Sequence, residues 1–154
     1  MKSLNSVLSS THSLQIALKG VMDGTDGLDK HKQALLDKVP CTGNWVDIVS
    51  SSVSLQDIAF LSAKTGHEFA LLKGKKNDIL FHGDARHCIF DDDLVEMLKS
   101  GKVRLYAHSH PDYETIIPSD DDREFLRYIG QSESKIVSWI TGRALSFTAN
   151  KFDI

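Results

Sequence analysis

The segment 106-YAHSHPDYETIIPSDDD-122 places two histidines just before a serine and three aspartates. His108 and His110 are separated by one residue, and residues two apart on a β-strand point to the same side. Two imidazoles on one face of a strand end can hold a divalent ion such as zinc, which also accepts carboxylate oxygen. An HxH pair is frequent by chance, so the pair alone favours ordinary surface or packing histidines over metal ligands.

The second half of the segment is typical of the start of a helix. Ser119 and Asp122 have the Ser-x-x-Asp spacing of a capping box, and acidic side chains are favoured near a helix N-terminus. The same geometry fixes a hydroxyl and a carboxylate in the first turn of a rigid element. Capping and metal ligation by Asp122 are therefore compatible.

A metal hydrolase of this kind also needs a carboxylate that carries protons to and from the reacting groups. Glu68 is the leading candidate, because it opens the otherwise apolar segment 68-EFALL-72. A solvated strand end is the common alternative explanation for a charge in that position. The rival acids are Glu96, on the exposed face of a predicted helix, and Asp112 and Glu114, in the loop after the histidines.

Length, charge and cysteine content restrict the class of protein. The 154 residues suit one domain with a hydrophobic core, and the net charge is −3. No basic run is visible along the chain, which argues against nucleic acid as the main partner. No apolar window is long enough to span a bilayer and the N-terminus is a poor signal peptide, so we expect a cytoplasmic protein without a membrane partner.

Cys41 and Cys88 form no CxxC motif and are interpreted as free thiols rather than a disulfide.

Hydrophobic periodicity predicts an α/β (α+β) fold, with a mixed sheet flanked by helices. Residues 1–44 form an appended helical hairpin in this interpretation, with helices over 2–22 and 28–39, and residues 45–154 form the core domain. The core strands are predicted at 45–49, 68–72, 78–83, 103–108, 135–140 and 144–149, and the core helices at 54–64, 91–101 and 119–131. The hairpin either covers a face of the sheet or provides a homodimer or partner-docking surface, and the sequence does not choose between these roles.

The ordered set Glu68, 108-HSHP-111 and 118-PSDDD-122 resembles the JAMM motif of the MPN (JAB) domain metalloproteases, in particular their bacterial members. The resemblance extends from about Val46 to the C-terminus and includes the order of the predicted helices and strands. An HxH pair is a weak signal, whereas the whole set in matching predicted elements is fairly specific.

The resemblance implies a role for each motif residue. His108, His110 and Asp122 would ligate zinc, and Glu68 would act first as general base and then as general acid. Ser119 would help to stabilise the oxyanion of the tetrahedral intermediate. The implied activity is hydrolysis of the bond after the C-terminal glycine of a ubiquitin or ubiquitin-like protein, either free or in a conjugate.

One departure from the family pattern makes the third ligand ambiguous. Eight residues separate His110 from Ser119, where the family usually has seven, so strict counting from the histidines would select Asp121. We prefer Asp122, because a surface loop absorbs one inserted residue easily. A shift of one position along a helix instead turns a side chain by about 100°. Ala70 and Leu71 are a second departure, at a place where many members have a small Cys-Gly-like pair.

Other functions remain open at this point. The chain is alternatively a non-catalytic MPN scaffold, which would not need the intact motif, or a JAB-type toxin peptidase with another protein substrate. A DNA-linked JAB protein is disfavoured by the acidic charge balance.

Overall fold

The computed structural model describes residues 3–5, 30–110 and 117–150 of the chain, and these form a mixed α+β fold, as predicted. The described helices are α1 (Lys30–Lys38), α2 (Leu55–Thr65), α3 (Asp92–Lys99) and α4 (Asp120–Ile129). The strands are β1 (Ser3–Asn5), β2 (Trp45–Val49), β3 (Phe69–Gly74), β4 (Asn77–His82), β5 (His87–Ile89), β6 (Val103–His110), β7 (Glu133–Ser138) and β8 (Ala144–Thr148). None of the helices in these ranges is long and apolar enough to cross a membrane.

Six strands form one open sheet in the order β2-β4-β3-β6-β7-β8. Its neighbours are antiparallel except for β6 and β7, which run parallel and are joined through α4. Strand β6 therefore lies in the interior of the sheet, and its C-terminal end leads towards the start of α4. This connection brings the histidine and aspartate segments of the sequence together.

The sheet separates two hydrophobic cores. Residues of α3 and α4, such as Leu94 and Phe125, pack on one face, which we call the α3/α4 face. Residues of α1 and α2, such as Leu35 and Leu61, pack on the other, the α1/α2 face. A side chain's position relative to these two faces decides whether it can reach α4.

The N-terminal region departs from its prediction. Residues 3–5, expected inside the first helix, instead form β1, which pairs antiparallel with β5 and lies against α4. Backbone pairing with another strand has prevailed there over the local helical periodicity. The rest of that predicted helix and the turn at 23–27 lie outside the described residues. The second helix of the predicted hairpin is present as α1, which ends before Pro40.

Strand β6 contains a β-bulge at Tyr106. Leu71 of β3 pairs with Ala107, whereas the next residue, Leu72, pairs with Leu105, so one residue of β6 is left over between two pairs. A bulge of this kind shifts the alternation of side chains by one position.

The bulge decides which face the two histidines occupy. Leu105 belongs to the α3/α4 core, and in an uninterrupted strand His108 and His110 would point to the opposite face. Instead, His108 pairs with Ala70 and Ile136, which also belong to the α3/α4 core. The extra residue has therefore turned both histidines towards α4.

A histidine pair fixes the loop after α1 to the sheet. The Nδ1 atom of His82 lies 2.8 Å from the carbonyl oxygen of Pro40, which can only accept, so this nitrogen carries the proton. The Nε2 atom of a neutral His82 then accepts from Nδ1 of His67, at 2.8 Å. Burial lowers the pKa of both histidines, and in His82 the neighbouring His67 lowers the pKa further.

This pair predicts a pH dependence of stability. Because both imidazoles bind a proton more weakly in the folded than in the unfolded chain, the stability they contribute is complete above the ordinary histidine pKa of 6.5 and decreases as the pH falls below it. We expect His67→Gln to make the decrease shallower, since one of the two groups no longer titrates. Urea unfolding at several pH values between about 7.5 and about 5 measures the free energy of unfolding of both proteins. Their other ionisable groups are the same, so the difference in pH dependence reports on His67. If the free energy of unfolding of His67→Gln decreases as steeply as that of the unmodified protein, or more steeply, the pH dependence does not arise from this histidine pair.

Candidate metal centre

The two histidines and one aspartate of the motif meet at the end of β6. The Nε2 atoms of His108 and His110 are 3.0 Å apart. In the first turn of α4, Asp122 places Oδ1 3.3 Å from Nε2 of His108 and Oδ2 3.3 Å from Nε2 of His110. All three side chains are buried. Among the described residues they form the one group of three or more ligand-type side chains close enough to share an ion.

The spacing of these atoms fits a metal ion. A tetrahedral zinc ion with bonds of about 2.0–2.1 Å separates its ligand atoms by about 3.3 Å. The observed separations of 3.0, 3.3 and 3.3 Å are close to this value. Two imidazole nitrogens and a carboxylate suit zinc but are not specific for it. The group can therefore hold a divalent ion.

A capping box at the start of α4 holds the Asp122 carboxylate in place. The backbone N–H of Asp122 donates to Oγ of Ser119 at 3.0 Å, and the backbone N–H of Ser119 donates to Oδ2 of Asp122 at 2.9 Å. The two aspartates that precede it are less buried and are not part of this group: Asp120 is exposed and Asp121 is half-buried. The structure thus brings Asp122, and not Asp121, to the histidines.

The charge of Asp122 suits metal binding. Burial acts to raise the pKa of this carboxyl, but the adjacent imidazoles of His108 and His110 outweigh burial and hold the pKa well below its usual range. The carboxylate is consequently ionised, which is the form that binds metal.

Packing orients the imidazole of His108. Its Nδ1 atom is buried and makes no hydrogen bond within the described part of the chain. The ring meets the ring of Phe147 edge-on, with centroids 6.2 Å apart, and its backbone neighbour on β7 is Ile136. Apolar contacts from β7 and β8 therefore take the place of the hydrogen bond that usually orients a metal-binding histidine.

Glu68 reaches the same face of the sheet. It directly precedes β3, and because Ala70 pairs with His108, the antiparallel register continues to place Glu68 opposite His110. Its backbone N–H donates to the carbonyl of Asp84 at 2.8 Å, and its carbonyl accepts from Gly83 at 2.7 Å. The side chain is completely buried, which excludes a solvated strand end as the explanation for this glutamate.

The rival acids do not converge on the site. Glu96 is exposed on α3, as its helical periodicity predicts. Asp112 and Glu114 lie outside the described residues. Glu68 is thus the candidate acid that the described fold places beside the histidines.

Cys88 of β5 is a neighbour of Glu68 that the sequence analysis did not assign to the site. Burial raises the pKa of this thiol strongly, and the charges of Glu68 and Asp122 raise it further. The Cys88 thiol therefore remains protonated. Cys88 and the exposed Cys41 are both free, in agreement with the interpretation as thiols.

Gly83 allows β5 to approach Glu68 this closely. A Cβ atom added at Gly83 would lie 2.3 Å from the carbonyl oxygen of His87 and 2.9 Å from Sγ of Cys88. The sequence marks this position with glycine in a turn, but the turn alone does not reveal which side chain it brings towards Glu68.

No protein-family model, no curated protein and no solved structure matches this chain.

We expect Asp122→Asn to lower the affinity for a divalent transition metal by at least about 100-fold, since it removes a ligand charge at the centre of the site. Asparagine keeps an oxygen that can accept from Ser119, so the helix start should persist. Metal content of protein dialysed against zinc and the metal-dependent rise in Tm measure the effect. Asp121→Asn is the matched control and should bind metal like the unmodified protein. Equal loss in both variants would contradict the assignment of Asp122.

Proposed function

We propose that this protein is a zinc-dependent isopeptidase or peptidase of the JAMM type. Its substrate would be the bond that follows the C-terminal glycine of a ubiquitin or ubiquitin-like protein. The observation that supports the chemistry is the buried convergence of His108, His110 and Asp122 on the face where Glu68 is also buried. The order of the motif residues along the chain supports the substrate class through the resemblance to the MPN (JAB) metalloproteases.

The number of ligands favours a catalytic over a structural ion. Structural zinc sites are closed by four protein ligands, whereas catalytic sites have three and keep one position open. The group found among the described residues has three members, His108, His110 and Asp122. They would hold zinc, which when bound polarises the scissile carbonyl and makes water more acidic.

Glu68 would move the proton during hydrolysis. Its carboxylate would take a proton from the attacking water and return it to the leaving amine nitrogen, so that one group serves as base and then as acid. Two features support this role: the fixed backbone of Glu68, and its place opposite His110. The thiol of Cys88 would not compete with Glu68 for this proton, because its pKa is raised well above the usual value.

Ser119 would stabilise negative charge on the substrate. Its Oγ atom accepts a hydrogen bond from the backbone of Asp122, which leaves the hydroxyl proton available for donation. A donor fixed at the start of α4, beside the ligand Asp122, suits the oxyanion that develops as a carbonyl is attacked. The capping box and the proposed catalytic role are therefore compatible.

The proposal predicts that Glu68→Gln lowers kcat by about 100- to 10,000-fold while zinc content is unchanged, because only the proton carrier is lost. A panel of ubiquitin and ubiquitin-like proteins fused through their C-terminal glycine to a reporter measures cleavage, with and without a chelator. The matched control is Glu96→Gln, because Glu96 is an exposed glutamate on α3. This variant should cleave at the rate of the unmodified protein.

Two results would refute the mechanism. One is cleavage of a true substrate by Glu68→Gln at the unmodified rate. The other is cleavage that continues after zinc has been removed. Stoichiometric zinc without cleavage of any fusion would instead favour the non-catalytic scaffold or a peptidase with another substrate.

A further inference from the structure

A cavity opens at the end of the sheet away from the candidate metal centre. Its volume is about 740 Å³, and it lies between β2, the turn joining β3 to β4, and the C-terminal end of α3. Val103, which lines the site, and His110 stand at opposite ends of β6, about 23 Å apart at the rise of an extended strand. The cavity is therefore separate from the proposed catalytic residues.

The wall of this cavity is aromatic and aliphatic. The indole Nε1 of Trp45 donates to Oδ2 of Asp91 at 3.2 Å. Asp91 is itself the N-cap of α3, since its Oδ1 accepts from the backbone N–H of Leu94 at 2.8 Å. This contact holds the indole against the helix. Three further apolar side chains line the cavity: Ile79, Met97 and Val103.

The rim of the cavity is basic. Lys75 and Lys76 stand on the turn between β3 and β4, and Lys102 follows α3. The first turn is tight, because a Cβ atom at Gly74 would lie 2.7 Å from the carbonyl oxygen of Asn77. The second turn is fixed by Gly101 in the left-handed region (φ +80°). Its backbone is also held by the N–H of Lys102, which donates to the carbonyl of Met97 at 3.0 Å.

The charge of the rim is opposite to that of the protein as a whole. The chain has a net charge of −3, but three lysines line the cavity against one acid, Asp47. None of these four side chains forms an ion pair with another described residue. Two separate segments supply the lysines, which is why the sequence contains no conspicuous basic run. The cavity consequently attracts anions, although the net charge of the protein is negative.

We propose that this cavity binds a nucleoside phosphate, with the base on Trp45 and the phosphate at Lys75, Lys76 and Lys102. The volume lies in the range of small-molecule sites, which combine apolar walls with a few placed polar groups. An indole is a good stacking partner for a nucleobase, and lysine ammonium groups are suited to phosphate oxygens. A free nucleotide fits better than a nucleic-acid strand, because the basic surface is confined to one cavity on an acidic protein.

Tryptophan fluorescence can test this assignment directly. The chain has two tryptophans, and Trp139→Phe leaves Trp45 as the single reporter. Titration with AMP and ATP should change its emission with a Kd below about 1 mM, the upper end of the range typical of physiological ligands. Adenosine and pyrophosphate, which each lack one half of the ligand, should bind at least about tenfold more weakly.

Charge variants locate the phosphate. In the Trp139→Phe protein, Lys76→Gln with Lys102→Gln should raise the Kd for ATP at least about tenfold, the effect of losing one charge-assisted hydrogen bond. Lys30→Gln with Lys38→Gln on α1 is the matched control, with the same change in charge and an expected Kd equal to that of the parent. Equal weakening by both pairs would show a non-specific charge effect and would overturn the proposal.

Three further outcomes would overturn it. The first is that the emission of Trp45 shows no saturable change below about 1 mM ATP. The second is equal affinity for pyrophosphate and ATP. The third is tighter binding of a single-stranded oligonucleotide than of ATP. Because nucleotide phosphates also bind metals, the titration is repeated in Asp122→Asn. An unchanged Kd there supports the cavity, whereas loss of binding would place the nucleotide at the metal centre. Neither result depends on whether the protein cleaves a ubiquitin-like fusion.

Discussion

The pairing of β3 with β6, with one residue of β6 left over at Tyr106, is the constraint on which the candidate metal centre depends. Side chains alternate along a strand, so a slip of one residue moves every following side chain to the other face. The bulge applies that slip once, between Leu105 and Ala107. It keeps Leu105 in the α3/α4 core and also turns His108 towards α4.

The same pairing positions the candidate acid. Since Ala70 lies beside His108, Glu68 continues the register opposite His110 on the α3/α4 face. The parallel pairing of β6 with β7 then requires a crossover, and α4 forms it with Asp122 in its first turn. The candidate metal ligands and the candidate acid thus depend on a single strand register.

Burial of this group has an electrostatic consequence. Two carboxylates, Glu68 and Asp122, and two imidazoles are removed from solvent within one small region. Charges in a low-dielectric interior are costly unless they are compensated, and a divalent cation is among the strongest local compensations available. The two histidines already hold Asp122 in its ionised form, so its charge is in place before any ion arrives. Metal binding and stability are therefore expected to be coupled in this fold.

The features that could be predicted from sequence are those fixed by local interactions. Ser119 and Asp122 are three residues apart, and the capping box that they form needs no distant partner. Glu68 was recognisable because a charge in an apolar strand needs an explanation. The face of β6 on which the histidines lie was not predictable, since it depends on a bulge that arises between strands distant in sequence. Cys88 and β1 were missed for a related reason: β5 is short, and its pairing with residues 3–5 joins opposite parts of the chain.

The two ends of the sheet differ in the sign of their side-chain charges, and this difference follows from the direction of β6. Its last residue, His110, adjoins the acidic first turn of α4, whereas its first residue, Val103, follows Lys102 and lies beside the turn that carries Lys75 and Lys76. Carboxylates at one end favour a cation, and ammonium groups at the other favour an anion. The JAMM-like motif accounts for the first end alone. The basic cavity depends on Gly74 and Gly101, which shape the two lysine-bearing turns and lie outside that motif.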